Sequence, residues 1–285
     1  MTTATLPTDV PAGPGVLRAP DGHYGMVGVL KAEWTKLRSV RSTAWTLVAF
    51  VVAILGLGIA ISAGQASHWN AGNGPGFDPT NVSLAGFFLG QLIVGILGAL
   101  VVTAEYGTGT IRATLSASPL RLRFLLAKTA VFGTLLLVAS EILSFAVFFI
   151  GQAILGTSAA PTATLGQPNV LRAVIGAGLY VTVLGLLAVG FGFIIRHTAG
   201  TIAAFVGVVL VLPLFTLPLP EAWRHDVFRY FPASIGNQVL MTVHGPEDGG
   251  AFLHPFSPWV GLAVLTGYAV AALVVGGWLL NRRDA

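Results

Sequence analysis

Glu141 is the residue that first invites a chemical reading. It is the only acid inside a long apolar run of a 285-residue chain. It follows Lys128 by 13 residues, about 20 Å along a helix. Gln91 stands 14 residues before Glu105 and Tyr268 stands 14 before Arg282, so all three polar groups are expected at similar depth. Ionisable groups inside a bilayer face a bundle interior or a cavity and mark functional sites. Two roles stay open for Glu141: a hydrogen bond to Gln91 or Ser144 that fixes helix packing, or a place on a transport path with proton coupling. Nothing nearby completes a catalytic set. The apolar runs hold no histidine and no lysine, and HExxH and GxSxG are absent. His68, His225, His244 and His254 have spacings that match no ordinary metal site. With no cysteine there is no thiolate ligand, disulfide or Cys nucleophile. An intramembrane enzyme is disfavoured.

The elements that must position these groups are membrane helices. The chain is 54% hydrophobic and 9% charged, far below the roughly 25% charge of a soluble domain. Lipid is its main solvent. Six segments are long and apolar enough to span, near 44–63, 84–104, 129–150, 173–195, 199–219 and 259–280. Pro213 and Pro218 predict a kink or early end in the fifth. Pro258 suits the first turn of the sixth. Gly86 and Gly90 form a small-xxx-small pair that can bring helices close. Residues 1–23, with Pro7, Pro11, Pro14 and Pro20, read as a disordered cytoplasmic tail, and residues 24–285 as one six-helix membrane domain. The net charge of +4 comes with no basic, aromatic-interleaved face, so nucleic acid is not a partner.

Lys and Arg set the orientation. With the amino terminus inside, 12 of the 15 basic residues fall in inside segments. Only Arg172, Arg224 and Arg229 fall outside, so both termini are placed in the cytoplasm of a cell-membrane protein.

Two inside stretches look structured without spanning. From Val27 to Arg41, Val27, Leu30, Trp34 and Leu37 recur on one helical stripe, while Glu33, Lys36 and Arg38 accompany it in the same helix. Such a helix lies in the membrane interface, touching lipids. The second stretch is EYGTGTIRATLSASPLRLRFLLAK, Glu105 to Lys128. It leaves the membrane at Glu105 and Tyr106 and turns at Gly107 and Gly109. A short helix from Thr110 to Ser116 then sets Ile111 and Leu115 on one face toward the cytosol or a partner. Ser118 and Pro119 open the next helix.

AEWTKLRSVRSTAW before the first span, the Glu105–Lys128 loop and RYFPASIGNQVL at Arg229–Leu240 together resemble the permease subunit of ABC-2-type ABC transporters, in the actinobacterial style. The resemblance implies an all-α integral membrane protein whose first cytoplasmic loop docks on a separate ATPase subunit. Glu105, Tyr106, Gly109, Thr110, Ile111, Arg112 and Leu115 are then the coupling residues. It also implies an exporter, working as a homodimer or with a similar permease. No G-x-x-x-x-G-K-[ST] occurs, so this chain holds no cofactor, and ATP and Mg belong to the partner ATPase. An ion-coupled secondary transporter using Glu141, or a non-transporting membrane anchor or assembly protein, are the alternatives.

Overall fold

The first helix, α1 (Met26–Ser39), is separated from α2 (Arg41–Ser67) by a single extended residue, Val40, which re-aims the chain into the bundle. The computed structural model describes residues 25–70, 76–111, 114, 121–216, 218, 220, 226–243 and 256–282. Among these the chain is all-helical, without a strand. The expected tail, and the Arg112, Leu115, Ser118 and Pro119 positions, lie outside the described residues.

A short helix, α3 (Pro79–Leu84), leads into α4 (Phe87–Gly107). Then come α5 (Arg121–Leu155), α6 (Val170–Ile195) and α7 (Thr198–Val206). The last two helices are α8 (Pro232–Leu240) and α9 (Pro258–Arg282), the latter opening on Pro258 as expected. At 35 residues α5 is about 52 Å long, well beyond a hydrocarbon core of about 30 Å, so its ends project.

α6 is the central post. It is apolar all round, and α4, α5 and α9 pack on its sides. Outward sides of α2, α5 and α9 leave Trp45, Val52, Ile142, Phe149, Val274 and Trp278 exposed, as helices in contact with lipid do. Gly86 and Gly90 do bring helices together, within the chain. A Cβ on Gly86 would fall 2.0 Å from the Ile54 carbonyl oxygen of α2, so only glycine fits.

Among the described residues, five helices are long and apolar enough to cross a membrane: Arg41–Ser67, Pro79–Gly107, Arg121–Leu155, Val170–Ile195 and Pro258–Arg282. The fifth predicted segment falls short of its expected length. It is helical from Thr198 to Leu214, and Gly207–Val211 within it forms a π turn just before Pro213. Proline has no N–H to continue the ladder, and the helix stops one residue later, as the prolines predicted.

Contacts define two ends of the bundle. At one end Arg121 at the start of α5 donates to the Leu280 carbonyl near the end of α9 (2.7 Å), and Arg196 after α6 donates to that of Leu279 (3.1 Å). At the other end Gln152 of α5 donates to the Pro79 carbonyl (2.9 Å), and Gly261 of α9 packs on Ile235 of α8. Between Thr198 and Pro232 the chain therefore passes from the first end to the second.

Candidate functional site

At the α1 end, three elements converge on a pair of lysines. The buried side of α1 carries Val29 and Glu33, rotated about a quarter turn from the Val27–Leu30–Trp34–Leu37 stripe. Val27 and Trp34 stay exposed and Leu37 is half-buried. The helix thus turns an acid inward, which requires a cation. Lys128 supplies it: its Nζ lies 2.7 Å from Glu33 Oε2 and 2.7 Å from Glu105 Oε1, with the Val101 carbonyl at 3.4 Å. Lys36 closes the square, 2.9 Å from Glu33 Oε1 and 3.2 Å from Glu105 Oε1. Two acids and two lysines make a neutral knot. The Lys128 and Glu33 side chains are only 4% and 3% exposed, whereas Lys36 is 37% exposed. Beneath both ammonium groups lies the Phe124 ring, at 5.1 and 5.5 Å. Burial lowers the Lys36 pKa, but the hydrogen bond and charge of Glu33 and the charge of Glu105 outweigh it and raise the ammonium above its ordinary 10.5.

The knot reaches the loop after α4. Lys36 Nζ also donates to Thr114 Oγ1 at 3.2 Å, tying α1 to the segment expected to be a docking helix. α4 ends at Gly107, and Gly109 takes φ +72°, a conformation that favours glycine. Thr110 Oγ1 sits 2.9 Å from Thr108 Oγ1. Ile111, expected to face the cytosol or a partner, is instead buried among the core residues. The Tyr106 ring lies 5.2 Å from the Arg196 guanidinium. Arg196 itself has φ +60° and ends α6, while His197 Nδ1 accepts from the Gly200 N–H to open α7.

A family model described as "ABC-2 family transporter protein" matches residues 29–213, about two thirds of the chain. The chain belongs to the ABC-2 transporter family. It is a multi-pass membrane permease, of a family whose members pair with an ABC ATPase subunit. No curated protein is significantly similar to it in sequence. The match begins at Val29 and so takes in the whole charged knot and the Glu105 loop.

In this ABC-2 permease the three intramembrane polar groups do not form one cluster. Gln91 Oε1 accepts from the Tyr180 hydroxyl of α6 at 2.7 Å, and both residues are buried. They face a cavity of about 460 Å³ with Asn81, Ser234 and Asn237 also on its wall. One of the two roles open to Glu141 is a hydrogen bond to Gln91 or Ser144. Glu141 makes neither bond, since Tyr180 occupies Gln91 and Ser144 donates to the Val174 carbonyl. Glu141 Oε1 is buried against Gly178 of α6, without a hydrogen-bond partner among the described residues. Tyr268 stands apart on α9, half-buried beside Val208.

The charge distribution assigns Arg172 to an outer segment and gives neither it nor Asp78 a structural role. Both hold α8 instead. Asp78 accepts the N–H groups of Thr80 and Asn81, capping α3, and also the N–H groups of Thr242 (2.6 Å) and Val243 (3.2 Å). Arg172 donates to the carbonyls of Val239 and Met241 at the end of α8. The signal was available: only Glu33, Asp78 and Glu105 are acidic between residues 24 and 128, and each turns out to be a bonded partner. No group of three or more His, Cys, Asp or Glu suited to a metal ion occurs among the described residues.

Proposed function

We propose that this permease is the membrane half of an ATP-driven exporter, with ATP and Mg²⁺ held by a separate ATPase chain that docks on the Glu105–Leu115 loop. The observation that carries the reading is the shared knot of Glu33, Lys36, Glu105 and Lys128, which also reaches Thr114 in the loop. A displacement of the loop would be felt at once by α1 and α5. A partner does work on such an element only if it binds the two arrangements unequally, and rearrangement of the knot provides that difference. Arg112 and Leu115 are assigned to direct ATPase contact, with Tyr106, Gly109 and Thr110 shaping the turn and Ile111 anchoring it from within.

The further parts of the reading follow. Thr198–Leu214 completes a sixth crossing, about 25 Å for 17 helical residues. Both termini then lie on the cytoplasmic side of the cell membrane, in keeping with the Lys and Arg distribution. Two such chains, identical or similar, enclose the pathway, and α1 lies along the inner leaflet. Family membership favours this reading over an ion-coupled transporter or an anchor protein.

Co-expression with the cognate ATPase tests it. The two chains should purify as a stoichiometric complex that hydrolyses ATP. The Arg112→Ala/Leu115→Ala permease should insert normally yet lose most of the complex or its ATPase stimulation. Undiminished assembly and hydrolysis in that variant would overturn the docking assignment.

A further inference from the structure

α1 meets α5 over only part of its circumference. Beside the Val29 and Glu33 contact runs a groove of about 590 Å³ walled by Leu30, Lys31 and Trp34 of α1 and by Val131, Leu135 and Val138 of α5. It opens outward, since Trp34 is 44% and Val138 53% exposed. Along α5 the groove extends from residue 130 to 138, about 12 Å of helical rise, close to the ~15 Å hydrocarbon depth of one leaflet. Its wall is apolar except at the Lys31 ammonium, the Trp34 indole and a Thr134 hydroxyl, and no acid lines it. Lys31 and Arg38, seven residues apart, share a face of α1. Neither makes an ion pair among the described residues, whereas Lys36 and Lys128 of the knot are both neutralised.

An apolar slot of one-leaflet depth with one unneutralised cation, Lys31, on its α1 wall has a definite chemical complement. We propose that the groove holds an acyl chain of an anionic phospholipid from the leaflet that carries α1, with its phosphate at Lys31 and Arg38 beside it. Trp34 sits at the headgroup level, where tryptophan is favoured, and the Lys31 stem lies along the apolar wall with its charge at the phosphate. The bound lipid fills the space that packing leaves between α1 and α5, so the α1 seat senses lipid charge. The site stands on the membrane contact of α1 alone and is independent of how the ATPase docks.

Native mass spectrometry of the detergent-solubilised full chain tests the site, with phosphatidylglycerol and phosphatidylcholine of equal chain length as probes. The wild type should retain phosphatidylglycerol preferentially. Lys31→Gln should cut that preference about fivefold, the scale of one basic side chain at an anionic surface. Leu135→Trp, which fills the slot, should lose the retained lipid, whereas Val274→Trp on the exposed side of α9 should not. Equal retention of both lipids by the wild type, or unchanged retention in Leu135→Trp, would overturn the proposal. A second measurement needs no variant: phosphatidylglycerol carrying an acyl-chain diazirine should label residues 30–34 and 130–138 of the wild type. Label spread evenly over α2 and α9, or crosslinks from the groove to a second protein chain, would overturn it equally.

Discussion

Lys128 and Lys36 share the same two acids but not the same surroundings, and their energetics should differ accordingly. Lys128 is almost wholly buried, so Lys128→Met leaves Glu33 and Glu105 without their closest cation and should cost about 3 kcal/mol. Lys36 is partly solvated, and Lys36→Met should cost about 1 kcal/mol or less. Thermal unfolding of the two variants in the same detergent checks the order; a Lys36 variant as damaged as the Lys128 variant would contradict the burial difference. The raised pKa of Lys36 fixes the sign of the pH dependence. Its stabilising contribution is fully present below 10.5, its unfolded value, and is lost as pH rises through the higher folded value. The α1 seat should therefore be insensitive to pH around neutrality and loosen in strong alkali, as read by proteolysis of α1. Glu141 makes a sharper single-site case. A Cβ at position 178 would lie 2.5 Å from Glu141 Oε1, so Gly178→Ala should destabilise by about 1–3 kcal/mol, and Glu141→Ala in the same chain should restore most of the loss. The sequence marked Glu141 as anomalous because it is a lone acid in an apolar run. It could not show the pairing of Gln91 with Tyr180, since only tertiary packing decides which of several polar residues at one depth face each other.

Among the elements, α8 depends most visibly on side chains from elsewhere. It is a nine-residue helix, too short to persist on packing propensity alone, and Asp78 and Arg172 bind its C-terminal end and the three residues after it. Asp78→Ala removes acceptors for four backbone N–H groups, two at the α3 cap and two after α8, and should cost about 2 kcal/mol. Hydrogen exchange should rise through residues 232–243 while α6 stays protected; unchanged exchange there would deny the clamp. RYFPASIGNQVL carried a family resemblance in sequence, yet its buried placement against α6 and α9 was not legible, because Asp78 and Arg172 are distant in the chain. α1 shows a related limit. Its Trp and Leu spacing identified a helix with one apolar stripe, but the bundle binds the neighbouring face, where Glu33 is neutralised by lysines. Apolar periodicity reports a lipid-facing stripe and a core-facing stripe alike, so in a membrane protein it does not say which is which. The kink or early end of the fifth segment, by contrast, was readable from Pro213 and Pro218, since a missing N–H acts locally.

At the scale of the whole molecule, the number of crossings decides whether the two termini share a side. Five helices satisfy length and hydropathy, and five crossings alone would put α1 and the end of α9 on opposite faces. The side-chain contacts argue otherwise. Arg121 and Arg196 grip the last turn of α9 at the end of the bundle where α5 begins and α6 ends, and the Lys128 knot joins α1 to that same beginning of α5. On the proposed six-crossing reading the chain traverses the bundle once more after α6, and Thr198–Leu214 is the stretch that starts this passage. A helix of 17 residues with a π turn would on that reading cross less hydrocarbon than its neighbours, which a mismatched bilayer accommodates by local thinning or by polar flanks. Because the chain has no cysteine, single substitutions give an unambiguous reading. Ser39→Cys at the end of α1 and Asn281→Cys near the end of α9, both at exposed positions, should be shielded from a membrane-impermeant maleimide added to intact cells. Ser67→Cys and Ser257→Cys, exposed at the opposite end, should react with it. Permeabilisation should then expose the first pair. Labelling of positions 39 and 281 from opposite sides would mean that Thr198–Leu214 does not cross, and would break the sixfold reading at that one segment while leaving the other five in place.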